Sequence, residues 1–245
     1  MISHWYLAAI MDLKTRSRRP RLVETKTLPN PTQYVLALNG EYREWAYDEE
    51  RCLENRGRWR GLFGFPESVS LDLEIGTGNG YFFAHRAAAE PKRLLVGIEL
   101  KYKPLIQSIR RARRNGSLNA KIARYDASCL EDLFSVEELN HVFIHHPDPW
   151  PRKRDWKHRL IQDEFLETLW TLMRPGSYVD FKTDSEDYFD WAIPIFERSK
   201  FKKMRATRDL HRSEWATQNF VTHFEQIFLL KGQPIFYCRF EKPQK

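Results

Sequence analysis

The chain has 245 residues, with 40 Lys and Arg against 33 Asp and Glu, a formal charge of +7. At 42% hydrophobic and 14% aromatic residues it can bury a real core, which excludes a disordered chain and fits one large α/β domain or at most two small ones. Cys52, Cys129 and Cys238 lie too far apart for a cysteine-rich zinc site or a disulfide framework, and no apolar run nears the roughly 18 residues of a membrane span; a cytoplasmic protein with no membrane partner is expected.

Residues 1–66 read as an N-terminal extension. It begins with a basic arm to about Lys26, in which the apolar stretch Trp5–Met11 precedes its basic residues, unlike a signal peptide, and Met11 is a candidate translation start. A Pro29-Asn30-Pro31 turn follows, then a segment from Asn39 to Arg60 to which the sequence assigns no role. Residues 67–245 alternate strand and helix signals. Strands are expected at 69–75, 94–98, 120–125, 141–145 and 177–181, with helices at 81–89, 104–114, 127–134, 160–173 and 185–198. This alternation implies an α/β fold with a mostly parallel, doubly wound, Rossmann-like sheet. Phe224–Leu230 and Ile235–Phe240, around Lys231-Gly232-Gln233, read as a C-terminal antiparallel hairpin closing one edge.

The first strand, Leu71–Ile75, runs into Gly76-x-Gly78-x-Gly80 and a helix, a turn in which glycines allow a ligand to approach the backbone. Glu99 ends the next strand, 19 residues past Gly80, where a carboxylate can accept from ribose hydroxyls, and Asp126 ends the third. Glu74, in the last turn of the first strand, would repel a pyrophosphate. It suits S-adenosylmethionine, whose amino group and sulfonium are cationic and which carries no phosphate. After the fourth strand, Pro147-Asp148-Pro149-Trp150-Pro151 holds a carboxylate and an indole at the sheet edge, with a basic run from Arg152. His145 and His146 read as structural residues, not a metal pair, and no metal is expected.

Three acid-poor runs favour a polyanionic partner: 101–124 with eight basic residues and no acid, 152–159 with five against Asp155, and 198–212 with seven against Asp209. Taken with Thr222-His223-Phe224-Glu225 and Lys182-Thr183-Asp184, the motifs from Leu71 to Phe240 resemble the bacterial tRNA (guanine-N7)-methyltransferases of the TrmB type. The resemblance implies a methyltransferase domain over 67–245. It implies a cofactor site of Glu74, Gly76, Gly78, Gly80, Glu99, Asp126 and Asp148, with Asp148 catalytic, and a nucleotide site of Arg152, Asp184, Thr222, His223, Phe224 and Glu225. It also implies tRNA as partner, with no DNA expected. Arg152 stands where that family usually has Lys, and Asp155 and His158 also depart from its pattern.

Guanine N7 already carries a lone pair, so the reaction needs positioning more than a base. In an RNA helix N7 faces the deep, narrow major groove, so the target base should lie in a loop or be extruded, stacked on Trp150. The basic helix 104–114, the run 152–159 and the N-terminal arm would meet the RNA backbone. Three rivals remain at this level: an amino-group methyltransferase, whose loop would carry paired prolines after the acid; a non-catalytic RNA-binding subunit, disfavoured by the full acidic set; and a dehydrogenase, disfavoured by Glu74.

Overall fold

The computed structural model describes residues 24–244; the basic arm up to Val23, with Met11, lies outside them. Eight strands form one sheet: β1 (Ala46–Tyr47), β2 (Leu71–Ile75), β3 (Leu94–Ile98), β4 (Ala120–Ala123), β5 (Val142–His145), β6 (Ser177–Thr183), β7 (Lys202–Thr207) and β8 (Phe236–Lys242). Their order is β1-β4-β3-β2-β5-β6-β8-β7. β1 to β6 pair in parallel, while β8 runs antiparallel to β6 and to β7. Strand order reverses at β2, the first strand of the glycine motif, and ligands of such sheets bind at that switch point.

The helices cover both faces. On one lie α1 (Gln33–Asn39), α3 (Tyr81–Ala89) and α4 (Tyr102–Arg114); on the other lie α5 (Asp163–Leu172) and α6 (Glu186–Arg198). A four-residue α2 (Trp59–Leu62) precedes the sheet's central strands, and α7 (His223–Leu230) precedes β8. Alternation in β3 shows why both faces fill. Leu94, Val96 and Ile98 join the core under α5 and α6, while Leu95 joins the core under α3 and α4.

Residues 24–66 pack onto this sheet. Ala46 and Tyr47 pair with Ile122 and Ala123, Trp59 is fully buried with its indole donating to the Leu133 carbonyl at 2.8 Å, and buried Arg60 donates to the Val69 and Glu138 carbonyls.

The C-terminal region differs from the sequence expectation. Phe224–Leu230 is helical, and the partner strand of β8 is Lys202–Thr207, so the antiparallel edge is built without a tight hairpin. The helix starts because Thr222 caps it, its hydroxyl accepting from the Glu225 N–H at 3.1 Å. β7 escaped notice because its mostly exposed, charged pattern is that of a protected sheet edge rather than a core strand.

Candidate active site

The site is built at the carboxyl ends of β2, β3, β5 and β6. β2 ends in Glu74, 3% exposed, one oxygen of which is buried with no partner among the described residues. Burial pushes its carboxyl well above the usual range, and the nearby Lys182 ammonium only partly opposes this. Gly76, Gly78 and Gly80 all adopt left-handed backbone. Gly80 starts α3 against α4, and a Cβ there would stand 2.3 Å from Ser108 Cα, so no other residue fits without moving the helix.

The glycine loop is tied down on both sides. The Gly78 N–H donates to Glu99 Oε2 at 3.1 Å, Ser108 Oγ donates to the Gly78 carbonyl at 2.9 Å, and Arg111 Nε donates to the Asn79 carbonyl at 3.3 Å. Glu99 thereby joins the ends of β2 and β3, and its other oxygen accepts from the Lys101 N–H. Asp126 caps the next turn, accepting from the Ser128 N–H and hydroxyl at 2.8 Å each. An orphaned buried carboxylate oxygen beside a left-handed glycine turn fits a cationic adenosyl cofactor and opposes a pyrophosphate.

After β5 the chain is strained. His146 and Trp150 both have positive φ, at 52° and 46°, although neither is glycine. Between them Asp148 is exposed on its proline-flanked loop and Trp150 is 39% exposed. Arg159 holds this loop in place: it is 2% exposed, donates to the Pro149 carbonyl at 2.8 Å and the Asp187 carbonyl at 3.2 Å, and lies over the rings of Trp156, Tyr188 and Trp191. Arg152 is exposed and pairs with Asp155 at 3.2 Å.

A second cluster joins β5, β6 and α7. The His146 ring places Nδ1 3.1 Å from Asp184 Oδ1 and Nε2 3.8 Å from Glu225 Oε1. Glu225 is fully buried, accepts from Lys182 Nζ at 2.6 Å and from Asn219 Nδ2 at 2.9 Å, and has His211 Nε2 at 3.4 Å. Burial pushes the Glu225 carboxyl up, but the nearby His146 ring and the hydrogen-bonded Lys182 ammonium and Asn219 amide outweigh it and hold the group at about 2. Burial likewise opposes ionisation of Asp184, and the His146 hydrogen bond overcomes it, keeping that carboxyl below its ordinary value.

The structure therefore divides the expected nucleotide-site residues. Asp184 is partly exposed beside His146, Phe224 is 45% exposed edge-on to the His146 ring, and exposed His223 lies 5.7 Å from the Tyr81 ring, linking α7 to the start of α3. Thr222 and Glu225 are instead buried, one capping α7 and the other anchoring it. These contacts fix the start of α7, which carries His223 and Phe224.

Sequence reasoning missed Lys182, Asn219, Arg159 and the part played by His146. The signal for Lys182 was a lysine continuing an otherwise apolar strand end; for Arg159 the sequence offered only another cation in a basic run. His145 does pack as a structural residue, between the Phe82 and Phe143 rings.

Comparison with known proteins decides the family. Residues 68–238 match the family model described as "Putative methyltransferase". The chain is 49% identical over 208 residues, 84% of its length, to a tRNA (guanine-N(7)-)-methyltransferase of Bdellovibrio bacteriovorus, all of which is covered. The chain belongs to this methyltransferase family. A tRNA (guanine-N(7)-)-methyltransferase of Brevibacillus brevis is 30% identical over 79% of the chain and 90% of its own length. Among solved structures, a 16S rRNA methyltransferase superposes with a TM-score of 0.56 at 14% identity, covering 76% of this chain and 94% of its own, a likeness of fold. As a methyltransferase, the protein has its glycine loop and the Asp148 loop on the same edge of the sheet, at the ends of the adjacent strands β2 and β5.

Proposed function

We propose that this methyltransferase transfers the methyl group of S-adenosylmethionine to N7 of a guanosine in the variable loop of tRNA, in the cytoplasm. The observation that carries the substrate is the 49% identity across the whole length of a relative named for this reaction. S-adenosylmethionine would supply a methyl group on a sulfonium, electrophilic enough to need no further activation.

The chain's own residues then bind and orient. Glu74 would accept from the cationic amino group, so its buried oxygen gains the partner it lacks among the described residues. Gly76, Gly78 and Gly80 would let the ligand approach the backbone, and Glu99 and Asp126 would accept from the ribose and adenine edges. Asp148 stands exposed at the lip, where a carboxylate can accept from guanine N1–H and the exocyclic amine, a pattern adenine does not offer. The base becomes cationic as N7 gains the methyl group, and the same carboxylate, with Asp184, would stabilise that charge. Trp150 and Phe224, both partly exposed, would stack on or border an extruded base. Arg152 would meet the adjoining phosphate.

Strand scission at 7-methylguanosine after borohydride and aniline treatment tests the position. One scission, in the variable loop of a substrate tRNA, is expected; scission elsewhere in the molecule overturns the assignment.

A further inference from the structure

The three basic runs, equal in sequence, are unequal in the fold. In 198–212, Arg198 pairs with Asp163, Lys203 with Glu197, Arg208 with Glu186 and Asp190, and Arg212 with Asp209, while Arg205 bonds Gln218 and lies over Trp215 and Tyr237. In 152–159, Arg152 and Arg154 share Asp155 and Arg159 is buried, which leaves Lys153 and Lys157 without an ion pair among the described residues. On α4, by contrast, Arg110, Arg111, Arg113 and Arg114 have no carboxylate within ion-pair distance among the described residues.

Instead, three of the four lie against aromatic rings. The Arg111 guanidinium sits 3.8 Å from the Tyr81 ring centre, Arg113 sits 4.1 Å from Trp45, and Arg110 sits 5.7 Å from Tyr42 while donating to its hydroxyl at 3.2 Å. Trp45 and Tyr42 come from the 39–60 segment that had no assigned role. Two open grooves flank the row, of about 380 and 610 Å³, and both are lined by Arg110 and Arg114. Asn79, Tyr81, Gln107, Arg111 and Asn115 complete the first; Glu41, Tyr42, Trp45 and Arg113 complete the second. Cations in the last turn of a helix also favour its dipole. That accounts for their presence on α4, but not for the ring platforms supplied by other elements.

We propose that the outer face of α4, on its platform of Tyr42, Trp45 and Tyr81, is an accessory site for the sugar-phosphate backbone of the tRNA, distinct from the reaction centre. The proposal rests on tRNA being the substrate. Stacked guanidiniums lose less freedom on binding than unsupported ones, and their planar forks match phosphate oxygens. Among the described residues Glu41 is the one carboxylate lining either groove, in the second. The 39–60 segment thus acquires a function: it stiffens arginines that would otherwise be flexible.

The test measures tRNA binding by the full chain against salt concentration for wild type, Arg110→Ala/Arg114→Ala and Trp45→Leu, with S-adenosylmethionine binding by calorimetry as the check on folding. The double variant should bind tRNA on the order of tenfold more weakly, with a log–log salt slope shallower by about 1 per arginine removed. Trp45→Leu should weaken tRNA binding while the slope stays near wild type, because no charge is lost. Cofactor affinity should be retained in both. Wild-type tRNA affinity and slope in the double variant, with 7-methylguanosine still formed by the wild-type enzyme, would overturn the α4 site alone. Absence of 7-methylguanosine from the wild-type product would instead overturn the substrate on which it rests.

Discussion

Two residues show how a side chain's surroundings set its task. Glu74 is an acid at a place where burial opposes its charge, with an oxygen that no described group satisfies. A cationic ligand arriving there favours the ionised form, so binding should release a proton, and affinity should rise as pH climbs through the raised value of the free protein. Calorimetry of S-adenosylmethionine binding in buffers of different ionisation enthalpy should detect this release, and Glu74→Gln should abolish it. A wild-type affinity that is flat across pH would remove Glu74 from the cofactor's amino group.

Arg159 is the opposite case, a cation whose charge faces inward. Its two carbonyl bonds and three aromatic neighbours fix the backbone at Pro149, one residue from Asp148. Arg159→Lys keeps the charge but loses the planar fork and the stacking. It should lower kcat by up to ~100-fold through misplacement of the loop, with the salt slope of tRNA binding unchanged. A slope reduced by about 1 with kcat intact would make Arg159 a phosphate contact instead.

At the scale of elements, α7 depends on one buried carboxylate. Glu225 is held at about 2, below the ordinary carboxylate value of roughly 4.3, so it adds stability that is fully present above that value and is lost as pH falls toward 2. The difference corresponds to about 3 kcal/mol. Glu225→Gln, which leaves Lys182 buried without its counter-charge, should cost a similar amount at neutral pH. The variant should also lose stability less steeply between pH 4 and pH 2, as denaturant titrations at a series of pH values would show. An equally steep acid loss in the variant would place the titrating group elsewhere.

The same element marks where sequence reading stopped. The parallel strands and their following helices were legible because their patterns are clean: Leu94–Ile98 is an apolar run, and α4 carries Leu105, Ile106, Ile109 and Ala112 on one face. α7 is apolar on several sides, with Phe224, Ile227, Leu229 and Leu230 all exposed, so no period separates helix from strand. Its one local cue was the Thr222-x-x-Glu225 capping pattern, and even that pointed to the wrong use of Glu225, whose side chain turns to Lys182. Glycines and acids at strand ends could be assigned because topology fixes them. Arg159 and Lys182 could not, because their hydrogen-bond partners come from residues 10 to 43 positions away.

The whole molecule combines three separable functions on one sheet. The switch point at β2 provides the glycine loop, the β5 and β6 ends with α7 provide the reacting lip, and α4 with the extension provides a phosphate-facing flank that touches the glycine loop through Arg111 and Asn79. The reaction at the lip is open to a single experiment, incubation of the purified protein with unmodified tRNA and methyl-labelled S-adenosylmethionine followed by nucleoside analysis. Label should appear in 7-methylguanosine and be lost in Asp148→Ala while tRNA binding persists; label in any other nucleoside, or full activity in Asp148→Ala, would rule that reaction at Asp148 out.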